Sequence, residues 1–441
     1  MNIREKIIHL NPSQLLVVTF LFSILLGMFM LKMPISTKTE ISWLDALFTA
    51  TSAMTVTGLV VVDTSQTFTI FGQIVILLLI QLGGLGIMSF AILIFIVLGK
   101  KIGMKERIVI QHALNQTSLG GVIQLVKYLF LFSFVIEFLG MIILSFRWVP
   151  QFGLKKGIYY SFFHAISAFN NAGFSIWSDS LMQFVGDPVV NLMISFLFII
   201  GGLGFTVLAD IWRNRSFQKL SLHSRLMLIG TISLNLCAMF FFFIVEYYNH
   251  KTLGSLPLLD KLWASYFQAV TTRTAGFNSL DIASMEESTI FLMIILMFIG
   301  AGSASTGGGI KLTTAIVITF SIAAFLRGRT EIQVGKRSIS VEIIMRALVI
   351  TMMSMISIIL AVFILNLFEK HSFLEILFEA VSAFGTVGLS MGITGSLTSI
   401  GKVVIILLMF IGKVGPLTLL FTLSKPQQPK IRYPNEDVLT G

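Results

Sequence analysis

The chain has 441 residues, of which 55% are hydrophobic and only 12% charged, with a formal net charge of +10. Ordinary soluble proteins carry about 25% charged residues, so the composition excludes the two or three soluble domains that the length alone would suggest. One cysteine, Cys237, excludes a disulfide framework and a cysteine-ligated metal site, and six scattered histidines without ligand spacing argue against a zinc or catalytic centre.

In chain order, residues 1–11 mix Arg4, Glu5 and Lys6 with apolar residues, and no small-residue cleavage site follows. The first apolar run, 15–31, therefore reads as a retained span rather than a signal peptide. Further runs at 74–98, 190–208, 226–245, 347–367 and 403–423 are almost free of charge. Such runs suit helices crossing a hydrocarbon layer of about 30 Å. Basic residues cluster at Lys100, Lys101, Lys105 and Arg107, again from Arg213 to Arg225, and again from Arg327 to Arg346. These clusters occupy alternate connections, which makes those connections and both termini cytoplasmic. The positive charge is thus accounted for by topology, and nucleic acid is not an expected partner. Residues 105–120 read as an amphipathic helix on the membrane surface, and the proline-containing tail 424–441 as an irregular cytoplasmic end.

A repeat organises the whole chain. Leu47-Phe48-Thr49-Ala50 leads to Gly58, Phe162-Phe163-His164-Ala165 to Gly173, Tyr266-Phe267-Gln268-Ala269 to Gly276, and Leu377-Phe378-Glu379-Ala380 to Gly388. Phe to Gly is ten residues in three copies and nine in the third. Each copy lies between two apolar spans and is too short and polar to cross a bilayer alone. The expected fold is an all-α membrane protein of four span–pore-helix–span repeats, with eight transmembrane helices and four re-entrant pore loops around one pseudo-four-fold pore. The divisions fall at 12–104, 105–211, 212–330 and 331–423. The second spans also match: Gly83-Gly84-Leu85-Gly86, Gly201-Gly202-Leu203-Gly204, Gly300-Ala301-Gly302 and Gly412-Lys413-Val414-Gly415. The first two clusters read as close helix packing through small residues, against the alternatives of a hinge or an ion site.

Non-helical backbone at membrane depth is tolerated only where it is buried in protein or lines a watery cavity. Four copies can close such a cavity. Glycine adopts positive φ without a Cβ penalty, so successive carbonyls can face one axis and replace the hydration shell of a cation. The candidate ion-binding residues are Thr55, Val56, Thr57 and Gly58; Asn170, Asn171, Ala172 and Gly173; Arg273, Thr274, Ala275 and Gly276; and Gly385, Thr386, Val387 and Gly388. Asp45, Asp260 and Glu375 stand near the starts of three half-helices, where negative charge complements the helix dipole. Asp63, Asp179 and Asp281 follow the glycines and form either an attracting outer mouth or ordinary loop caps.

In the third repeat, the second span is interrupted at 300–309 by five glycines and three hydroxylated residues, enough to break a helix. It is expected to be the only broken second span. Gly300, Gly302, Ser303, Ser305, Thr306, Gly307, Gly308 and Gly309 would lie below the glycine turns as a gate, against the reading of a passive packing kink. Lys311 follows this loop, but the pattern fails as a phosphate-binding loop. Lys413 stands mid-span, where a charge is expensive and usually functional; its ammonium could bond the 300–309 loop or repel cations. Glu137 and Glu246 are candidates for a coupling role or for ordinary interfacial hydrogen bonds. An enzyme would need convergent titratable groups in the spans, which are few. A secondary transporter would show inverted repeats with broken helices in matched positions, rather than four direct copies.

These motifs, with Thr272-Arg273-Thr274-Ala275-Gly276-Phe277 and Asn171-Ala172-Gly173-Phe174, resemble the Trk/Ktr/HKT superfamily of potassium transporters over essentially the whole chain. The short length resembles its KtrB-type membrane subunits. The resemblance implies potassium uptake across a bacterial plasma membrane through filter glycines at Gly58, Gly173, Gly276 and Gly388. It also implies a gating role for the 300–309 loop and Lys413, a homodimer, and a cytosolic ring of nucleotide-binding regulatory subunits. Stimulation by sodium is a further expectation, and no resident cofactor is implied. The deletion in the third copy leaves Arg273 without a strict equivalent; its side chain is expected to brace the filter from behind.

Overall fold

The computed structural model describes residues 12–86, 89, 122–329, 331–334, 337–416 and 418–419. The surface helix expected at 105–120, the N-terminal segment 1–11 and the tail 424–441 lie outside the described residues, as does the distal part of the 74–98 run.

Among the described residues, four helices are long and apolar enough to cross a membrane by length and composition: Gln14–Lys32, Val126–Phe152, Leu222–Glu246 and Val341–Phe368. Their exposed side chains include Phe22, Phe138, Phe240 and Phe363, the reverse of a water-facing surface. After each comes a short helix: Trp43–Thr55, Leu154–Phe169, Leu258–Thr271 and Phe373–Gly385. The repeat phenylalanines Phe48, Phe163, Phe267 and Phe378 are fully buried on these short helices. Local chemistry starts two of them. Ser42 Oγ accepts from Asp45 N, and Ser372 with Glu375 forms a reciprocal capping box, so these acids sit where the dipole favours them. Asp260 lies in the first turn of a third.

A second helix completes each unit: Ile70–Leu85, Pro188–Leu203, Glu287–Phe298 and Ser399–Val414. Asp187 caps one of them through Val189 N and Val190 N, with Pro188 in the first turn where its missing N–H costs nothing. Each second helix packs on the short helix of the following repeat: Ile70–Leu85 on Leu154–Phe169, Pro188–Leu203 on Leu258–Thr271, and Glu287–Phe298 on Phe373–Gly385. Ser399–Val414 returns to Trp43–Thr55. The cycle therefore closes, and Lys402 of the last helix meets Asp45 of the first short helix at 2.7 Å across the seam.

Two expectations need correction. The third repeat does not contain the only broken second span: Pro188–Leu203 and Phe205–Asn214 meet at 93°. Gly204, at φ +100, makes that corner, and Gly86 and Gly415 end their helices at φ +83 and +87. The glycine clusters thus combine close packing with a turn that other residues adopt only with strain. The chain is also not purely helical. Ile332–Val334 pairs antiparallel with Arg337–Ile339, because Ile332, Val334 and Ile339 alternate with polar neighbours as a strand requires.

Candidate functional site

Just beyond each short helix a left-handed residue stands two positions before the glycine: Val56, Asn171, Thr274 and Thr386, at φ between +50 and +63. The glycines Gly58, Gly173, Gly276 and Gly388 are themselves at φ +92, +67, +78 and +91. Two reversals so close together pull the chain out of the helix as a tight turn.

A Cβ placed on any of these glycines would strike the next repeat. On Gly58 it would lie 2.4 Å from Ala172 O, and on Gly173 2.8 Å from Gly276 Cα. On Gly276 it would lie 2.4 Å from Val387 O, and on Gly388 2.1 Å from Thr57 O. Real Cβ atoms essentially never approach below 3.0 Å. The order runs from the first repeat to the fourth and back to the first, so the four turns form one closed ring with carbonyl oxygens at its contacts. Glycine is required here for two independent reasons, backbone conformation and space.

The turns are bracketed by a hydroxyl on the last helical turn. Gly58 N donates to Ser52 Oγ and Gly388 N to Ser382 Oγ, both at 3.1 Å. In the other two repeats the hydroxyl donates instead, Ser167 Oγ to Phe174 O at 2.7 Å and Thr271 Oγ1 to Phe277 O at 2.6 Å. These four residues were not among the sequence candidates. Their signal is register: each lies six residues before its glycine, or five in the shortened third copy. The deletion therefore falls between Thr271 and Gly276. Arg273 is buried and its guanidinium contacts Asn235 Oδ1 at 3.4 Å. It lines a small cavity with Thr231, Asn235, Phe198 and Ala301, behind the ring rather than among its carbonyls.

The 300–309 loop is seated against the turns. Thr306 Oγ1 donates to Asn171 Oδ1 at 2.8 Å, and Asn171 Nδ2 to Thr274 Oγ1 at 3.2 Å. Gly308 N donates to Thr386 Oγ1 at 2.9 Å. The loop thus touches the left-handed residues of three of the four turns, directly or through Asn171. Gly307 and Gly308 are needed for this approach, since a Cβ on either would lie 2.4 or 2.5 Å from the Thr274 or Thr386 hydroxyl. Gly302 N and Thr306 N bond Gly202 O and Gly201 O, so the loop also rests on the broken second span. Gly309 N reaches Gly412 O at 3.3 Å, and Gly300 N bonds Ile310 O across the loop's neck. Ser303 and Ser305 make contacts local to the third repeat, with Thr313 Oγ1 and Gly302 O. Two lysines clasp the crest: Lys413 Nζ donates to Thr306 O, and Lys311 Nζ to Gly307 O at 2.7 Å. Lys311 fails the spacing of a phosphate-binding loop, and the signal for its role is its place directly after the 300–309 loop.

Glu137 accepts from Gln81 Nε2 at 3.0 Å and from Asn170 Nδ2 at 3.1 Å, a buried cluster behind the second turn. Glu246 accepts from Thr252 Oγ1, Asn249 Nδ2 and Glu286 N, holding a helix end. Asp63 accepts from Ser65 N and Gln66 N, and Asp281 from Ala283 N and Ser284 Oγ. Both are loop caps, while Asp179 contributes its backbone carbonyl to Met182 N.

A closed ring of glycine turns with a loop seated against it, set among helices apolar enough to cross a membrane, suits a membrane transporter, and the sequence agrees: over residues 10–433 the chain belongs to the TrkH family of cation transport proteins. It is 58% identical to the Ktr system potassium uptake protein B of Bacillus subtilis, covering 99% of this chain and 98% of that protein. It is 42% identical to the Ktr system potassium uptake protein B of Vibrio alginolyticus, over 98% of this chain and 95% of that one. The crystal structure of the potassium transporter TrkH from Vibrio parahaemolyticus superposes with a TM-score of 0.73 at 20% identity, covering 93% of this chain and 84% of that one.

Proposed function

We propose that this chain takes up potassium across a bacterial plasma membrane through one pore per chain. The four glycine turns act as its selectivity filter and the 300–309 loop, clasped by Lys413, as its gate. The observation that carries this reading is the closed ring, in which each glycine lies so near its neighbour's carbonyl or Cα that no side chain fits. Backbone oxygens held at fixed spacing replace the hydration shell of a cation and attract no anion. Eight spans follow if the broken second helices cross together with their continuations, and the breaks occur in direct rather than inverted order. The relatives' Ktr designation supports a working complex with other Ktr subunits; a homodimer on a cytosolic nucleotide-binding ring, with sodium as a stimulant, is the form proposed.

Rubidium and potassium uptake into proteoliposomes tests the filter. Uptake is expected only with protein present, and Gly58→Ser is expected to reduce preference for potassium over sodium. An unchanged preference in a folded Gly58→Ser protein would refute the assignment.

A further inference from the structure

On each short helix, the residue after the repeat phenylalanine is polar and buried: Thr49, His164, Gln268 and Glu379. A buried polar side chain requires a partner, and three of the four find one at the same distance along the chain. His164 Nε2 bonds Ser175 Oγ at 3.2 Å, Gln268 Oε1 accepts from Ser279 N at 3.4 Å, and Glu379 Oε2 accepts from Ser390 Oγ at 2.8 Å. The separation is eleven residues in every case. It spans the glycine turn, so each bond ties the chain leaving the ring back to the helix that enters it. In the first repeat the eleventh residue is Val60, which offers no side-chain partner, and the facing Thr49 hydroxyl is unbonded.

The fourth repeat carries the tightest clamp. Glu379 is fully buried and accepts two hydroxyls, from Ser390 and Thr394, while Ser390 Oγ also accepts from Gly392 N at 3.0 Å. Both hydroxyls close on one buried side chain, so this outward limb is held from behind at a single point.

We propose that these side chains form a positioning belt behind the ring, and that Glu379, through Ser390 and Thr394, is a specificity-determining positioning residue for the transported cation. It touches no ion. It fixes how far the limb beyond Gly388 can relax, and so how far the ring can shrink around a smaller cation. The proposal rests on the filter reading above.

The test measures the potassium-to-sodium uptake ratio in proteoliposomes of the full chain. Glu379→Ala is expected to lower the ratio by about fivefold, the scale of one lost hydrogen bond. Glu379→Gln reproduces the chemistry of Gln268 in the third repeat and is expected to restore most of the loss. Ser390→Ala with Thr394→Val removes the other end of the clamp, leaves the buried Glu379 carboxyl without its two donors, and is expected to lower the ratio similarly. An unchanged ratio in folded Glu379→Ala, or in the double variant if Glu379→Ala does not fold, overturns the belt. Gly388→Ser separates the two readings. A lowered ratio there, with the clamp variants unchanged, overturns the belt alone; an unchanged ratio there overturns the filter and the belt with it.

Discussion

Replacing Lys413 by glutamine should open the pore. The Lys413 ammonium donates to Thr306 O at the crest of the loop, beside the tie from Thr306 Oγ1 to Asn171 in the second turn. A hydrogen bond from a charged donor contributes roughly 1.5–3 kcal/mol. Losing it shifts the balance between seated and unseated loop by about tenfold to a hundredfold. The shift is bounded because Lys311 still holds Gly307 O at 2.7 Å. The double variant Lys311→Gln/Lys413→Gln should therefore exceed the single one, and the effects should not add, since both lysines act on adjacent carbonyls. The assay is rubidium influx into proteoliposomes of the chain without partner subunits, with thermal unfolding in detergent as the check on folding. Lys413→Gln is expected to raise influx several-fold, and Lys413→Arg to stay near the parent. Influx at or below the parent level in folded Lys413→Gln would show that the clasp does not hold a barrier in the ion's path.

Two further outcomes follow from the geometry. A Cβ on Gly201 would lie 1.9 Å from Phe169 O at the end of the second pore helix, so Gly201→Ala should destabilise the protein by about 1–3 kcal/mol, read as a lowered Tm; an unchanged Tm would mean the two helices part freely. At Asp63, burial works against the charge, but hydrogen bonds from Ser178, Ser65 and Gln66 outweigh it and hold its pKa below the ordinary 3.8. A group with a lowered folded pKa stabilises above the unfolded value and loses that contribution as pH falls through the folded one. Asp63→Ala should therefore have a lower Tm than the parent at neutral pH, and the gap should close as pH drops below 3.8. A gap that persists in strong acid would refute the charge-based cap.

The residues that carry the ring were legible in the sequence because glycine has few substitutes. A single glycine nine or ten residues after a buried phenylalanine, four times over, leaves little else to propose. The one-residue deletion in the third copy was visible too, but not its place, which depends on Thr271 donating to Phe277 O. For Gly201-Gly202-Leu203-Gly204 the sequence favours packing over a hinge or ion site. Composition does not distinguish a glycine that admits a neighbouring carbonyl, as Gly201 does, from one that turns the chain, as Gly204 does at φ +100. The bracketing hydroxyls recur in register in the sequence, yet Ser52 as acceptor and Ser167 as donor differ only in hydrogen-bond geometry. The roles of Lys311 and Glu379 became apparent only once residues four and eleven positions away along the chain were brought within bonding distance.

The most direct measurement is anomalous diffraction from crystals grown with rubidium. A peak is expected at the centre of the ring, among the carbonyl oxygens of Thr57, Ala172, Ala275 and Val387, and it should weaken when sodium replaces most of the rubidium. Density for rubidium elsewhere in the chain, with none inside the ring of a transport-competent protein, would contradict the account.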